Sequence, residues 1–184
     1  MNVFYPVIAR ERIPAMLGIA ALGAVLAGCY GILHDQVSYT ISPEYFTKLK
    51  FHQFWYANFG WPQRIYASEV GFLASWWVGL IGGWILARLG LDRVPQQRAC
   101  IKRAFAMVFA IAVVVGAIGL ALGSYVAHHT DLNGWKDWRD NLDLQDLPAF
   151  VTVAYLHWAS YLGALLGIAT AGVYVRRVIR TAGI

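Results

Sequence analysis

Five histidines and two carboxylates carry the chemistry this sequence offers. His34, His52, His128, His129 and His157 all fall on one half of the expected layout, and Asp35 and Glu69 lie at the same level. Imidazole nitrogen and carboxylate oxygen are the ligands that suit zinc, iron or copper. His157 matters most, because among ordinarily ionisable side chains, tyrosine and cysteine aside, it alone sits well inside an apolar segment. It lies about 13 Å below Pro148 at 1.5 Å per helical residue. A histidine at that depth is costly without a partner, so it points to a site facing a bundle interior. Ser160 and Tyr161, three and four residues on, share its helix face.

The expected metal ligands are His157, His128, Glu69, His34 and Asp35. His128 and His129 diverge by about 100° on a helix, so one of them should face inward. No H-E-x-x-H, E-x-x-H or H-x-x-x-H spacing occurs, and the ligands would have to come singly from different helices. A b-type haem held axially by His157 and a second histidine ranks below a non-haem ion. The competing reading of His34 or His129 is a polar interfacial residue. For His157 it is a hydrogen bond to Tyr125, Ser124 or Glu69.

The elements that must position these groups are set by hydropathy. Of 184 residues, 59% are hydrophobic and 14% charged, whereas soluble domains carry about 25% charge. The segments 13–33, 70–87, 104–127 and 149–175 are apolar over about the 20 residues needed to cross hydrocarbon. Helix is the conformation that satisfies their backbone internally. The expected fold is an all-α, four-transmembrane-helix bundle forming one domain over 1–184, with short interfacial helices in its two outer loops. Ten basic residues against Glu11 and Asp92 give one side a net +8, and the other side carries −3. The positive-inside rule then places both termini and the 88–103 loop in the cytoplasm of a bacterial-type inner membrane. The basic residues flank apolar segments and form no patch interleaved with aromatics, which argues against nucleic acid as a partner.

In the first outer loop, Ser42, Pro43 and Glu44 make a helix start. The helix they open should lie in the interface with Tyr45, Leu49, His52 and Tyr56 near one face, and with Glu44 paired to Lys48. The second loop, with Trp135, Trp138, Leu142 and Leu147 among acids, reads as another surface-lying piece. Asp137, Asp140, Asp143 and Asp146 lack the alternate spacing of an EF-hand and read as a solvated acidic face. The tetrapeptide ending at Cys29 imitates a lipoprotein cleavage box, but apolar character runs on through Leu33. A retained span is therefore expected, with Cys29 a packed apolar side chain.

Ala159, Gly163, Gly167 and Ala171 form a small-residue ridge on the fourth span, and Gly116, Gly119 and Gly123 thin the third. Such ridges let helices approach closely, within the chain or against a second subunit. Three function classes follow. The first is a membrane metalloprotein with a redox or hydrolytic site. The second is a non-catalytic small subunit or assembly factor packed on a larger membrane complex, or self-associated through the Gly163/Gly167 ridge. The third is an oligomeric transporter or channel, for which no discontinuous helix or inverted repeat speaks.

Overall fold

The computed structural model describes residues 8–91 and 97–182. Four long helices dominate it: α1 (Ile13–Ile41), α2 (Gln63–Gly90), α3 (Gln97–His129) and α4 (Leu147–Thr181), and no strand occurs among the described residues. All four are long and apolar enough to cross a membrane. At 28 to 35 residues they exceed the ~30 Å of hydrocarbon by several turns. Hydropathy marks only the apolar part of each, whereas the helices continue through polar residues that pair with one another. Beyond His34, α1 runs on to Ile41, and Gln36 donates to the Arg64 carbonyl and to Ser68 Oγ of α2, each at 2.8 Å. Tyr39 OH donates to Gln63 Oε1 at 2.8 Å.

Proline sets the boundaries. Pro14 occupies the first turn of α1, where its missing N–H costs nothing. Pro43 forces the residue before it out of helical geometry, and Ser42 accordingly ends α1 in an extended conformation. At the start of α4, Asp146 accepts a hydrogen bond from the Ala149 N–H at 3.0 Å, and Pro148 follows within the first turn.

The bundle consists of two tight pairs. α1 packs along α2 and α3 along α4, whereas contacts between the pairs are far sparser. Glycines bring the pairs together. A Cβ on Gly31 would collide with the Gly71 carbonyl, and one on Gly79 with the Gly23 carbonyl. In the other pair, Gly119 meets Ala159 and Tyr155, Gly163 meets Ala112 and Val115, and Gly167 meets Val108. The small-residue ridge of α4 is thus spent on α3 inside the chain. Cys29 differs from expectation: it is exposed on the outer face of α1, because Gly28 and Gly31 take the inward positions, while Cys100 is buried.

The first connecting loop also departs from the expected interfacial helix. Ser42 Oγ does accept the Tyr45 N–H, at 3.3 Å. The turn that follows is π-helical over Tyr45–Lys50, and Tyr45, Phe46 and Lys50 are buried. In a π-turn residues five apart come into line, so Tyr45 and Lys50 share the inward face that an α-helical reading denies them. Glu44 does not pair with Lys48. Its carboxylate accepts the backbone N–H groups of Gln145 and Asp146, at 3.1 and 2.8 Å, and Lys48 reaches Asp143 at 3.5 Å. The second loop holds a short helix, Lys136–Leu142, and lays Trp135 against Trp158 of α4 with ring centroids 5.6 Å apart. The two loops together close the histidine end of the bundle.

The glycine contacts make a specific prediction. Gly31→Val should lower the thermal midpoint of the purified protein, by overpacking worth about 1–3 kcal/mol. Gly18→Ala, where nothing lies within 4 Å of an added Cβ, should leave it unchanged or slightly raised. Thermal unfolding of the two variants side by side checks this; equal effects would mean the α1–α2 contact is not tight.

Candidate metal centre

α1 contributes Tyr30, His34, Asp35 and Ser38 to the histidine end, and α4 contributes His157 and Ser160. The side chains of His34, Asp35 and His157 are 9%, 4% and 5% exposed. Each offers one ligand atom, and these atoms all lie within 4.8 Å of one another. His34 Nδ1 stands 3.0 Å from Asp35 Oδ1, and His157 Nε2 stands 3.8 Å from the same oxygen. The two imidazole rings meet edge to face, with centroids 4.5 Å apart.

The surroundings hold this arrangement from three sides. Ser38 Oγ donates to the His34 carbonyl at 2.9 Å, one turn along α1. His34 Nε2 lies 3.1 Å from Ser160 Oγ, and Tyr30 OH donates to the same hydroxyl at 3.5 Å. Above the cluster the π-turn forms a roof, with the Tyr45 ring 4.7 Å from that of His157 and Phe46 at 6.2 Å. Beneath Asp35 lies Gly71, where an added Cβ would stand 3.0 Å from Asp35 Cβ.

Two atoms within this enclosure have no hydrogen-bond partner: Asp35 Oδ2 and His157 Nε2. A buried polar group without a partner costs about 1–3 kcal/mol, more when charged. Both atoms can donate a lone pair to a cation. Below them, between the two helix pairs, runs a narrow slot lined by all four helices. A ligand on the cluster would therefore have open space beside it.

The remaining sequence candidates lie elsewhere. His128 is exposed at the end of α3, with its Nδ1 2.8 Å from the Ser124 carbonyl. His129 is exposed and packs on Tyr125 at 4.8 Å, and His52 is exposed beyond the π-turn. Glu69 is half-buried on α2 with its Oε2 unpartnered, outside the group formed by His34, Asp35 and His157. The partners of His157 are Asp35, His34 and Tyr45 in place of Tyr125, Ser124 or Glu69. Ser160 was signalled by its spacing from His157, and Ser38 could have been found in the same way from His34. Tyr45 and Lys50 were not legible, since nothing in their spacing announces a π-turn.

Lys50 adds a buried cation near the cluster, its ammonium 5.9 Å from the Phe54 ring centroid. Burial pulls its pKa below the ordinary 10.5, and the nearby Asp35 carboxyl opposes that shift without cancelling it. Burial raises the Tyr45 phenol, with Tyr161 and Asp35 acting in the same direction. For a lysine whose folded pKa is depressed, the unfolded chain binds more protons in the window below 10.5, so stability rises with pH there. Lys50→Met removes this burden. Its thermal midpoint should exceed that of the parent protein by a few degrees at neutral pH, with the two curves converging as pH approaches 10.5. Thermal unfolding across pH checks it, and a midpoint lowered at neutral pH would show that Lys50 is held by net attraction.

No family model, curated protein or solved structure matches this chain, so its function has to be read from the cluster itself.

Proposed function

We propose that this is a membrane metalloprotein that binds one first-row divalent ion, zinc or iron(II), through His34, Asp35 and His157. The observation that carries the reading is that His34, Asp35 and His157 each bring a ligand atom within 4.8 Å of the others, while Asp35 Oδ2 and His157 Nε2 are buried there without a hydrogen-bond partner. With bonds of about 2.1 Å, two ligands of a tetrahedral ion are about 3.4 Å apart, and the separations of 3.0 and 3.8 Å bracket that value. His34 would bind through Nδ1 while its Nε2–H donates to Ser160 Oγ, the kind of outer hydrogen bond that fixes a ligand's tautomer. Two histidines and one carboxylate leave a coordination position free, the pattern of catalytic zinc and of iron(II) oxygenase sites. Copper(I) is a poorer match to this ligand set, because neither a thiolate nor a thioether is part of the group. A porphyrin would need the two rings well apart on its opposite faces, and at 4.5 Å they leave no such gap. The charge asymmetry of the sequence supports cytoplasmic termini, which would place the centre at the outer face of an inner membrane.

A second reading has its own observation. Ser160 Oγ, His34 and Asp35 Oδ1 form a chain with links of 3.1 and 3.0 Å, the order of a nucleophile, a base and the group that orients the base. Ser160 would then attack an acyl carbon, with His34 Nε2 taking its proton.

Metal analysis separates the two. Protein purified without chelator and titrated with zinc or iron(II) should bind one ion per chain. His157→Ala and Asp35→Asn should weaken binding at least a hundredfold, Ser160→Ala about tenfold, and His128→Ala not at all. If the parent protein binds no ion while a fluorophosphonate labels Ser160, the metal reading fails and the hydrolase reading takes its place.

A further inference from the structure

The slot below the cluster has a length, a polarity and a position that specify an occupant. From His34 to Gly23 on α1, and from His157 to Ile168 on α4, its walls extend eleven residues, about 17 Å of helix at 1.5 Å per residue. One leaflet of a bilayer core is about 15 Å deep. The polar side chains of the wall are gathered at the cluster end, where Tyr30 and Tyr161 join the histidines. Deeper in, Ser75 brings the one hydroxyl, and it is turned onto the carbonyls of Ala27 and Gly71 at 2.9 and 2.6 Å. Below it the walls are glycine and hydrocarbon, ending at Leu86 and Phe105. A narrow slot of such a length, polar at its head and apolar below it, suits a single hydrocarbon chain.

Resting on the cluster as the reactive end, we propose that the slot binds a single long acyl chain, a fatty acid or fatty ester, with its carbonyl oxygens at the cluster and its tail near Phe105. The head end matches such an oxygen on two counts: the free metal position and the Tyr30 hydroxyl. Entry needs no opening to water. The slot lies along the seam between the two helix pairs, where contacts are sparsest, and a chain can pass from the bilayer when the pairs part.

The test uses full-length protein in phosphatidylcholine nanodiscs and palmitate carrying a photoreactive diazirine near its tail. Irradiation should label Phe105 or Leu86, and excess palmitate should compete that label away. A diazirine near the carboxyl should move the label to Tyr161 or Ser75. Ala164→Phe and Val78→Phe each place a ring in the slot and should cut deep labelling at least fivefold, with metal content unchanged. Labelling of Leu165, exposed on the outer face of α4, serves as the lipid control and should stay constant. Labels confined to Leu165 and other outward residues would overturn the proposal, as would deep labelling that neither variant reduces. Deep labelling in protein that binds no metal would sink the metal reading and leave the acyl slot standing, whereas metal without deep labelling would do the reverse.

Discussion

Asp35 is a carboxyl group enclosed by helices, and the close approach of α1 and α2 at Gly31 and Gly71 seats it. Gly31 and Gly71 set α1 and α2 backbone to backbone: a Cβ on Gly71 would strike the Gly31 carbonyl and would also stand 3.0 Å from Asp35 Cβ. Consecutive helical residues point about 100° apart, so His34 and Asp35 cannot both face the same neighbour. With α2 this close, Asp35 lies against α2 while His34 turns toward Ser160 of α4. Two adjacent residues therefore reach one site from the corner between two helices, and the third member of the cluster, His157, comes from α4 to meet them.

Apolar side chains gain little by associating in hydrocarbon, so packing there depends on close backbone approach and on polar pairing. The chain commits both to its two pairs and leaves the seam between them thin. The functional groups follow that division. Helix geometry alone fixes the spacing of His34 to Asp35 on α1 and of His157 to Ser160 on α4, while the cluster and the slot occupy the seam. The Glu44 carboxylate, accepting two N–H groups at the head of α4, ties the two pairs together across their loops. That tie also seats the Tyr45–Phe46 roof over the imidazoles.

Hydropathy and glycine spacing made the four helices legible, because a membrane-crossing segment must be apolar and a close contact must lack side chains. Three of the five expected ligands, His34, Asp35 and His157, come together; each is either inside an apolar run or at its edge, where an ionisable group needs a reason to be. His128 and Glu69 stand at similar levels, but level does not fix the direction in which a side chain points. His128 turns back on its own helix at Ser124. The first loop was misread because periodicity assumes 3.6 residues per turn. A π-turn changes the period without any compositional sign, and Tyr45 and Lys50 move from one expected face to another. Cys29 differs for a related reason: α1 is apolar on all its faces, so apolar character alone does not choose which side of it packs inward.

The His34 ring is where the two chemical readings separate. With the proton on Nδ1, the ring donates to Asp35 and its Nε2 accepts from the Ser160 hydroxyl, which in turn accepts from Tyr30. With the proton on Nε2, Ser160 becomes the acceptor and the Nδ1 lone pair turns to the space shared by Asp35 and His157. The first tautomer makes a relay that ends at Asp35 and leaves His157 idle, its Nε2 3.8 Å from the nearest carboxyl oxygen and unpartnered. A proton does not bridge that gap, because a hydrogen bond between nitrogen and oxygen closes at about 2.7–3.2 Å. A cation with bonds near 2 Å does. The distance that is too long for a relay is thus the right size for an ion, and the second tautomer uses every buried polar group of the cluster.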